Sequence, residues 1–277
     1  MRKIMKVIDA LKKSIILLKE YNINEPIQKA RILLADLLNI RKADLIIKEN
    51  MELDINIINK YFDNIQKLCN NYPLQYITKK QEFMGNVIEV NESVLIPRQD
   101  TEILVEEALK YAHGNILELC TGSGAIAISI AKSCYDVKII ATDISEMALE
   151  VAKRNSEKHK ANVNFIKSDL FQNVIGKYNL IVSNPPYIET KTIYNLEEQV
   201  KKEPIIALDG GKDGLDFYRK IAENAYNYLN MGGYLCLEIG YNQKDKVIQL
   251  LENKYTNIKC VKDLSGNDRV ITCKWEG

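Results

Sequence analysis

Residues 117–127 have the sequence LELCTGSGAIA, in which one apolar run passes through a short glycine turn into a second apolar run. The first run is typical of a buried β-strand, and the second is typical of the start of a helix. Gly122 and Gly124 let the backbone approach a ligand closely, and the first helical turn offers free N–H groups. The stretch therefore predicts the first strand–turn–helix unit of an α/β domain with a Rossmann-like sheet.

Segments on both sides of this stretch extend the alternation of strands and helices. Strands are predicted at 115–120, 138–142, 163–167, 178–183, 233–239, 258–262 and 269–274, and helices near 125–133, 145–158, 215–229 and 243–253. Because only a short turn separates the last two strands, these two must pair antiparallel. The sequence thus predicts a seven-stranded sheet that is parallel apart from its last strand pair.

Asp143 ends the second predicted strand, nineteen residues after Gly124. A carboxylate at this position can accept hydrogen bonds from both hydroxyls of a ribose. The glycine turn and Asp143 together predict a nucleoside-binding site. NAD and S-adenosylmethionine fit this pattern almost equally well, so these residues leave the reaction open.

The segment before residue 73 is predicted to be helical throughout. Apolar residues recur there at three- and four-residue steps, which places them on one face of each helix; the first set is Ile4, Val7, Ile8, Leu11, Ile15 and Leu18. Residues 24–26, Asn-Glu-Pro, are typical of a helix start. Residues 1–72 are therefore predicted to form a small all-α bundle, with 13 Lys and Arg against 9 Asp and Glu, a net charge of +4.

Residues 73–97 are predicted to link this bundle to the α/β domain of residues 98–277. Residues 82–90 show the pattern of a β-hairpin, with its turn near Gly85-Asn86. The linker is therefore expected to contain a hairpin rather than a further helix.

The composition excludes several classes of protein. Lys and Arg number 38 against 37 Asp and Glu, a net charge of +1, which argues against a polybasic binder of nucleic acid or membranes. No apolar run approaches the ~18 residues of a membrane span, and no signal-peptide pattern is present, so a cytoplasmic protein is expected. The six cysteines are scattered and only two histidines accompany them, so no metal site is expected.

The tetrapeptide Asn184-Pro185-Pro186-Tyr187 follows the fourth predicted strand, at the edge where open α/β sheets bind ligands. An amide or aromatic amine nitrogen is a poor nucleophile because its lone pair is delocalised. The Asn184 side-chain oxygen can accept one N–H of such a group and the Pro185 carbonyl the other, which aligns the nitrogen with a methyl donor. The two prolines stiffen this arrangement, and Tyr187 offers a flat face to the planar group. The tetrapeptide therefore favours methyl transfer.

Together with the glycine turn, this tetrapeptide resembles the motifs of S-adenosylmethionine-dependent amino-methyltransferases. Further segments resemble the peptide chain release factor glutamine methyltransferases of the HemK/PrmC type. They are PLQYIT (73–78), EFMG (82–85), VLIPRQDTE (94–102), EP (203–204), AL (207–208), GGKDG (210–214), EIG (238–240) and SGNDR (265–269). Bundle, hairpin and seven-stranded domain also match that family in order, so the resemblance covers nearly the whole chain.

The resemblance implies a class I methyltransferase that uses S-adenosyl-L-methionine, releases S-adenosyl-L-homocysteine and methylates the glutamine side-chain nitrogen in the Gly-Gly-Gln motif of release factors. It implies that Cys120, Thr121, Gly122, Ser123 and Gly124 contact the methionine part of the cofactor, Asp143 its ribose, and Asp169 and Leu170 its adenine. The glutamine amide would be bound by Asn184, Pro185, Pro186 and Tyr187. Of these, Asn184, Pro185 and Tyr187 would be catalytic, and Asn184 would also border the cofactor.

The resemblance also implies which kinds of partner the protein binds and which kinds it does not bind. The N-terminal bundle would dock the release factor. No membrane association, direct nucleic-acid binding or metal is expected.

A few positions depart from the family pattern. Glu118 and Cys120 stand where Asp and Gly are usual, so either the backbone at Cys120 tolerates a side chain or cofactor affinity is reduced. Asp100 is a shorter acid than is common, and Leu170 replaces an aromatic residue of some relatives. None of these positions touches the tetrapeptide, so the chemistry is expected to persist.

Four alternative functions are open to test. A glutamine methyltransferase of ribosomal proteins would share the reaction, but the bundle and linker favour the release factor. An adenine or cytosine N-methyltransferase must flip its base and grip phosphates, whereas the residues after the bundle carry a net charge of −3. An NAD-dependent oxidoreductase or a non-catalytic interaction module would leave the tetrapeptide unexplained.

Overall fold

The computed structural model describes residues 5–277, so Ile4 of the predicted apolar face lies outside the described residues. The chain divides into two compact units. One contains the described residues up to Lys79 together with Glu197–Lys202, and the other contains Lys80–Leu196 and Glu203–Gly277. The first unit therefore takes a short segment from the middle of the second unit's sequence.

The first unit is built mainly from helices: α1 (Val7–Glu20), α2 (Pro26–Leu38), α3 (Asp44–Ile47), α4 (Ile55–Cys69) and α5 (Leu74–Thr78). Val7 and Leu18 of the predicted face of α1 are fully buried, together with Leu33, Leu34, Ile65 and Leu68 of α2 and α4. Ile8, Leu11 and Ile15 of that face are only partly buried. The buried Tyr61 hydroxyl donates to the Ala30 carbonyl at 3.1 Å and lies 2.7 Å from the Ser14 hydroxyl. One side chain thus joins three helices through hydrogen bonds that satisfy its polar group inside the core.

Two short strands accompany these helices. β1 (Met5–Lys6) pairs antiparallel with β2 (Glu52–Leu53). The prediction that this unit is helical throughout is therefore wrong at these four residues. Two-residue strands are too short to produce a detectable alternation of apolar and polar residues, which explains why the sequence did not indicate them.

A hairpin opens the second unit. β3 (Lys80–Phe83) and β4 (Asn86–Glu89) pair antiparallel, and Met84 and Gly85 form the turn with φ of +48° and +68°. Two consecutive positive φ values are the mark of a type I′ turn, which suits the twist of a hairpin. The turn lies one residue before the predicted Gly85-Asn86 pair.

The main sheet of the second unit contains seven strands: β5 (Gly114–Leu119), β6 (Val137–Asp143), β7 (Val163–Lys167), β8 (Tyr178–Ser183), β9 (Leu229–Glu238), β10 (Thr256–Lys262) and β11 (Asp268–Lys274). Their order is β10-β11-β9-β8-β5-β6-β7. β11 is antiparallel to both of its neighbours, and the other pairs are parallel. The predicted α/β fold with an antiparallel last strand pair is therefore confirmed.

Helices α6 (Thr101–Leu109), α7 (Ala125–Ser133), α8 (Glu146–His159), α9 (Asp216–Asn224) and α10 (Lys244–Leu251) complete this unit. Helix α6 was not predicted, because residues 98–102 were interpreted as part of a linker motif. The helix predicted over 215–229 is wrong at its end, since α9 stops at Asn224, a 3₁₀ turn covers Ala225–Asn227 and Leu229 already begins β9. Leu229 is nonetheless buried, and burial alone does not distinguish a helix end from a strand start.

The order of the strands determines where a ligand can bind. From β5 the chain crosses to β6 on one side, whereas β8 lies against β5 on the other side. The loops after these strands consequently diverge and leave a crevice at their carboxyl ends. None of the helices within residues 5–277 has the length and apolar character that crossing a bilayer requires.

Candidate active site

A cleft of about 200 Å³ lies at the carboxyl ends of β5, β6, β7 and β8, within the second unit. Seven of the residues that the sequence singled out line it: Cys120, Gly122, Asp143, Asp169, Leu170, Asn184 and Pro186. Sequence reasoning assigned no site role to the remaining lining residues, although Val94, Leu95 and Ala207 lie in segments that resemble the family. These residues are Ser93, Val94, Leu95, Ile144, Ser145, Ala148, Ser168, Ile206, Ala207, Phe217 and Lys220.

The glycine loop between β5 and α7 borders the cleft. Cys120, Gly122 and Gly124 have positive φ values of +58°, +55° and +81°. A Cβ at Gly122 would meet nothing within 4 Å, whereas a Cβ at Gly124 would lie 3.1 Å from the Cβ of Ala152 on α8. Gly122 therefore faces open space, and Gly124 allows the close packing of α7 on α8.

Glu118 supports this loop from the interior of the protein. Its side chain is fully buried, and Oε2 accepts hydrogen bonds from the Thr121 hydroxyl at 2.7 Å and from the Ala127 N–H at 3.0 Å. Its second oxygen, Oε1, has no hydrogen-bond partner within residues 5–277. Burial raises the pKa of Glu118 to about 8 because a charge is poorly solvated there, although the two hydrogen bonds oppose the rise.

Asp143 connects the end of β6 to the glycine loop. Its Oδ2 accepts from the Gly122 N–H at 2.8 Å, and its Oδ1 accepts from the Ser145 N–H at 2.9 Å. Burial raises the pKa of Asp143, while these backbone hydrogen bonds lower it. Each carboxylate oxygen keeps a further lone pair, so the side chain can still receive a pair of hydroxyl groups from the cleft.

Five of the predicted site residues are not part of the cleft lining. Thr121 and Ser123 are buried members of the glycine loop, and the Ser123 carbonyl accepts from the Asn155 side chain at 3.0 Å. Gly124 allows the close packing on Ala152, and Pro185 is a buried member of the tetrapeptide. Tyr187 is half-buried and turned toward Glu238. The structure thus gives these residues supporting positions around the lining residues.

The tetrapeptide 184–187 is held by hydrogen bonds to its side chains and its backbone. Nδ2 of Asn184 donates to the Thr101 hydroxyl at 3.3 Å, and the Tyr187 hydroxyl donates to Oε1 of Glu238 at 3.4 Å. Nε2 of Gln243 donates to the Tyr187 carbonyl at 2.9 Å. Burial, followed by the nearby Glu238 charge, raises the pKa of Tyr187 far above its usual range, so Tyr187 acts as a neutral phenol.

A glycine packs directly on the backbone of the tetrapeptide. A Cβ at Gly210 would lie 2.6 Å from the Tyr187 Cα and 2.9 Å from the Pro186 carbonyl oxygen, so only glycine fits at this approach. Gly210 belongs to the GGKDG segment, whose role the sequence did not indicate. The segment therefore packs closely against the backbone of Pro186 and Tyr187.

The residues around the cleft fit a sulfonium nucleoside such as S-adenosylmethionine. Asp143 supplies acceptors for a ribose, Leu170 and Ala148 supply apolar surface, and the open glycine loop leaves room for an amino-acid tail. The described residues contain no group of three or more His, Cys, Asp or Glu side chains placed to hold a metal ion.

Comparison with known proteins assigns the fold and the family. The family model described as Methyltransferase small domain matches residues 98–267, and that described as PrmC N-terminal domain matches residues 9–78. The protein of Clostridium acetobutylicum named release factor glutamine methyltransferase is 41% identical, with coverage of 96% of this chain and 98% of the relative. The protein of the same name from Thermodesulfovibrio yellowstonii is 38% identical, with coverage of 96% and 97%.

The chain belongs to the release factor glutamine methyltransferase family. A solved structure agrees with the fold: a methyltransferase from Pyrococcus furiosus matches with a TM-score of 0.53 at 26% identity, covering 69% of this chain and 88% of that one. This member of the family is therefore an enzyme with the class I methyltransferase fold, which uses S-adenosylmethionine, as the resemblance predicted.

Sequence reasoning about this family member missed Thr101, Glu238 and Gln243 as neighbours of the tetrapeptide. Glu238 ends β9, which pairs with β8, so the rule that ligands bind at the carboxyl edge of the sheet could have found it. Thr101 and Gln243 gave no such signal, because one begins an unpredicted helix and the other is the N-cap residue of α10 rather than the end of a strand. Their position depends on the tertiary fold alone.

Proposed function

We propose that the enzyme transfers the methyl group of S-adenosyl-L-methionine to the side-chain nitrogen of the glutamine in the Gly-Gly-Gln motif of peptide chain release factors. The relatives named above support the release factor as substrate. The observation that carries the chemistry is the Asn184 side chain at the cleft wall, with its Nδ2 directed to Thr101. An amide bound in this way turns its oxygen away from Thr101, where it can accept a hydrogen bond from a substrate amide.

The proposed cofactor contacts follow from the arrangement of the cleft. Asp143 binds the ribose hydroxyls, and Asp169 and Leu170 border the adenine. The loop from Cys120 to Gly124 surrounds the methionine part, with Cys120 and Gly122 in direct contact and Thr121, Ser123 and Gly124 fixing the shape of the loop. Asn184 lies in the same lining as Asp143, which brings the methyl donor and the methyl acceptor together.

Bound S-adenosylmethionine supplies an electrophilic methyl group on a sulfonium. Asn184 and the Pro185 carbonyl each accept one N–H of the substrate glutamine, which holds its nitrogen in line with that methyl group. Pro186 and Tyr187 limit how the glutamine amide can tilt. No strong base is needed, because the nitrogen becomes acidic once it is methylated and then releases its proton.

The N-terminal bundle is the proposed docking unit for the release factor. Residues 1–72 carry a net charge of +4, against −3 for the rest of the chain, so an acidic partner surface would be attracted to the bundle. Translation termination takes place in the cytoplasm, where the enzyme is accordingly expected to act without membrane or nucleic-acid contacts of its own.

Transfer of labelled methyl groups tests this proposal. The enzyme is incubated with labelled S-adenosylmethionine and a purified release factor, beside a copy whose Gly-Gly-Gln glutamine is replaced by alanine. We expect label on the first protein and none on the second. Label on both proteins, or on neither with cofactor binding confirmed, would overturn the proposed substrate residue.

Asn184→Ala tests the proposed catalytic contact. The variant should lose at least about 100-fold in kcat, because the substrate nitrogen loses an orienting acceptor. Its affinity for S-adenosylmethionine should change little, and Asn253→Ala, at an exposed turn position, is the matched control. Near-normal turnover of Asn184→Ala would rule out the assigned mechanism.

A further inference from the structure

The segment that follows the hairpin forms part of the wall of the cofactor cleft. β4 ends at Glu89, and Ser93, Val94 and Leu95 line the cleft together with the glycine loop. Val94 and Leu95 begin the VLIPRQDTE segment, whose role the proposed chemistry leaves open. Residues 90–96 are called the strap below.

The strap is bent and internally bonded. The Asn91 side-chain oxygen accepts from the Ser93 N–H at 2.9 Å, and the Asn91 carbonyl accepts from the Val94 N–H at 3.1 Å. The Val90 and Val94 side chains are buried, with exposed fractions of 0% and 1%. Because its turn and its valines are fixed, a shift at either end of the strap moves the residues that line the cleft.

Asn155 on α8 holds the first end of the strap. Its side chain is fully buried, its Oδ1 accepts from the Glu89 N–H at 2.7 Å, and its Nδ2 donates to the Glu89 carbonyl at 2.9 Å. The amide thus pairs with both polar groups of one backbone residue, as a neighbouring β-strand does.

The same side chain also holds the glycine loop. Nδ2 of Asn155 donates its second hydrogen to the Ser123 carbonyl at 3.0 Å. A backbone N–H can only donate and a carbonyl can only accept, so the three hydrogen bonds allow the amide a single orientation. Ser123 lies between Gly122 and Gly124, which both have positive φ. One buried amide therefore joins the strap to the glycine loop, and residues of both line the cleft.

Glu203 holds the other end of the strap. Its Oε2 accepts from the Ile96 N–H at 2.9 Å, and its second oxygen forms an ion pair with Arg98. The Glu203 side chain is 2% exposed, and a carboxylate buried to this extent is stable only with such partners. Buried polar side chains consequently fix the strap at both ends.

Further contacts hold the hairpin on α8 at the surface. Lys158 Nζ donates to the Val87 carbonyl at 2.8 Å, and Arg154 forms an ion pair of 2.9 Å with the Glu89 carboxylate. Ion pairs and hydrogen bonds at such exposed positions contribute little to stability. They also touch the hairpin rather than the glycine loop, so they provide a natural comparison with Asn155.

We propose that Asn155 is a positioning residue for cofactor binding, which holds the strap and the glycine loop in register so that both contact S-adenosylmethionine. This inference rests on the proposed cofactor contacts and adds the strap to them. Without the amide, the cofactor itself would have to order the two segments, and that cost lowers its affinity. By reciprocity, a bound cofactor should stabilise the hairpin, although none of the described residues 80–89 lines the cleft.

Titration calorimetry with S-adenosylmethionine tests the role of the amide. Asn155→Ala removes all three hydrogen bonds, whereas Asn155→Asp keeps the shape of the side chain but places a carboxylate oxygen against two carbonyls. Both variants should raise the cofactor Kd by at least about 10-fold. In kinetics on the release factor, the KM for S-adenosylmethionine should rise by a larger factor than kcat falls.

Asn179→Ala is the matched control for a merely structural loss. The Asn179 side-chain oxygen accepts from the Asn115 N–H at 3.1 Å, at the end of β5 and β8 that lies away from the cleft. This variant should lower the urea midpoint of unfolding but keep the cofactor Kd within about 3-fold of wild type. Lys158→Ala, which removes a surface contact of the hairpin, should also keep its Kd.

Hydrogen exchange measures the coupling in the wild-type protein, with no substitution. Exchange is followed at β4 (Asn86–Glu89) with and without saturating S-adenosylmethionine. The cofactor should slow exchange at β4 by at least about 5-fold, because it stabilises the unit that the Asn155 amide joins. In Asn155→Ala at the same fractional occupancy, the slowing should be confined to segments that line the cleft.

The outcomes separate this inference from the proposed function. An equal change of Kd in Asn155→Ala and Asn179→Ala would overturn the positioning role, as would unchanged exchange at β4 in the wild type on cofactor binding. Neither result would touch the methylation of release factors. If Asn155→Ala does not fold, the exchange of wild-type β4 decides. If the Kd and exchange results are as expected while the wild-type enzyme methylates no release factor, the positioning role stands and the proposed substrate fails.

Discussion

Cys120 occupies a backbone conformation that side chains of L-residues disfavour, with φ at +58°. The family pattern has glycine at this position, and the structure shows how a side chain is accommodated: the thiol lines the cleft and packs against the main hydrophobic core. Burial raises the pKa of the Cys120 thiol well above its usual range, so the thiol stays protonated. The side chain is tolerated, and the left-handed backbone carries a conformational cost.

Replacing Cys120 tests this cost. Cys120→Gly should be more stable than Cys120→Ala by about 1 kcal/mol, since only glycine adopts positive φ freely. The free energies of unfolding are measured in urea. At Cys134, where φ is −128°, the order should be reversed and alanine should be the more stable. An alanine variant as stable as the glycine variant at position 120 would refute the strain.

The substitution Asp143→Asn tests the proposed contact between this single side chain and the ribose. Both oxygens of Asp143 already accept backbone N–H groups, so an amide would turn its NH₂ against one of these donors. The affinity for S-adenosylmethionine should fall by about 10- to 100-fold, as expected for the loss of hydrogen bonds to a charged group. Isothermal titration measures the change, with Asp136→Asn in an exposed loop as the control. Equal affinities for both variants would remove Asp143 from the cofactor site.

At the scale of elements, the sequence predicted those helices and strands whose apolar residues recur with the period of a helix or form a short buried run. The strands of the main sheet appear as predicted because each is a short apolar run bounded by turn residues. The β1–β2 pair and α6 were missed, one for its length and the other because PRQDTE was interpreted as a motif. Asn184 and Asp143 were predicted at the ligand-binding edge because one follows β8 and the other ends β6, and both line the cleft. Thr101 and Gln243 were not predicted as neighbours of the tetrapeptide, because only tertiary packing brings them close to it.

A substitution at Gly210 tests how strictly the GGKDG segment holds the backbone of the tetrapeptide in place. Gly210→Ala places a Cβ 2.6 Å from the Tyr187 Cα, so the backbone of the tetrapeptide must shift. We expect kcat to fall by at least about 10-fold, since small displacements at the reacting atoms are costly. Gly176→Ala, whose Cβ would meet nothing within 4 Å, should lose stability but keep its kcat. Kinetics that matched wild type in Gly210→Ala would show that the tetrapeptide can move freely.

The whole molecule should become less stable as the pH rises from about 4.5 to about 8. The folded protein raises the pKa of Glu118 to about 8 and that of Glu238 to about 7, whereas an unfolded glutamate has a value of 4.5. Between these values the unfolded chain has released protons that the folded chain retains, so increasing pH favours unfolding. Each group should contribute up to about 1.4 kcal/mol per pH unit.

Urea unfolding at several pH values measures this slope. Glu118→Gln cannot ionise and keeps an oxygen for Thr121 and Ala127, so its stability should depend less on pH than that of the wild type. Glu107→Gln is the control, as a buried glutamate with a lysine partner, Lys110. A slope that Glu118→Gln leaves unchanged would show that Glu118 is ionised in the folded protein.

The segment Glu197–Lys202 gives the chain an unusual connectivity. It follows the tetrapeptide loop in sequence yet belongs to the compact unit of the N-terminal helices. The two units are consequently interleaved along the gene. Recombination at a single breakpoint near residue 80 would separate the helices from a piece of their own fold, so the N-terminal region cannot be exchanged between relatives as a cassette unless residues 197–202 are exchanged with it.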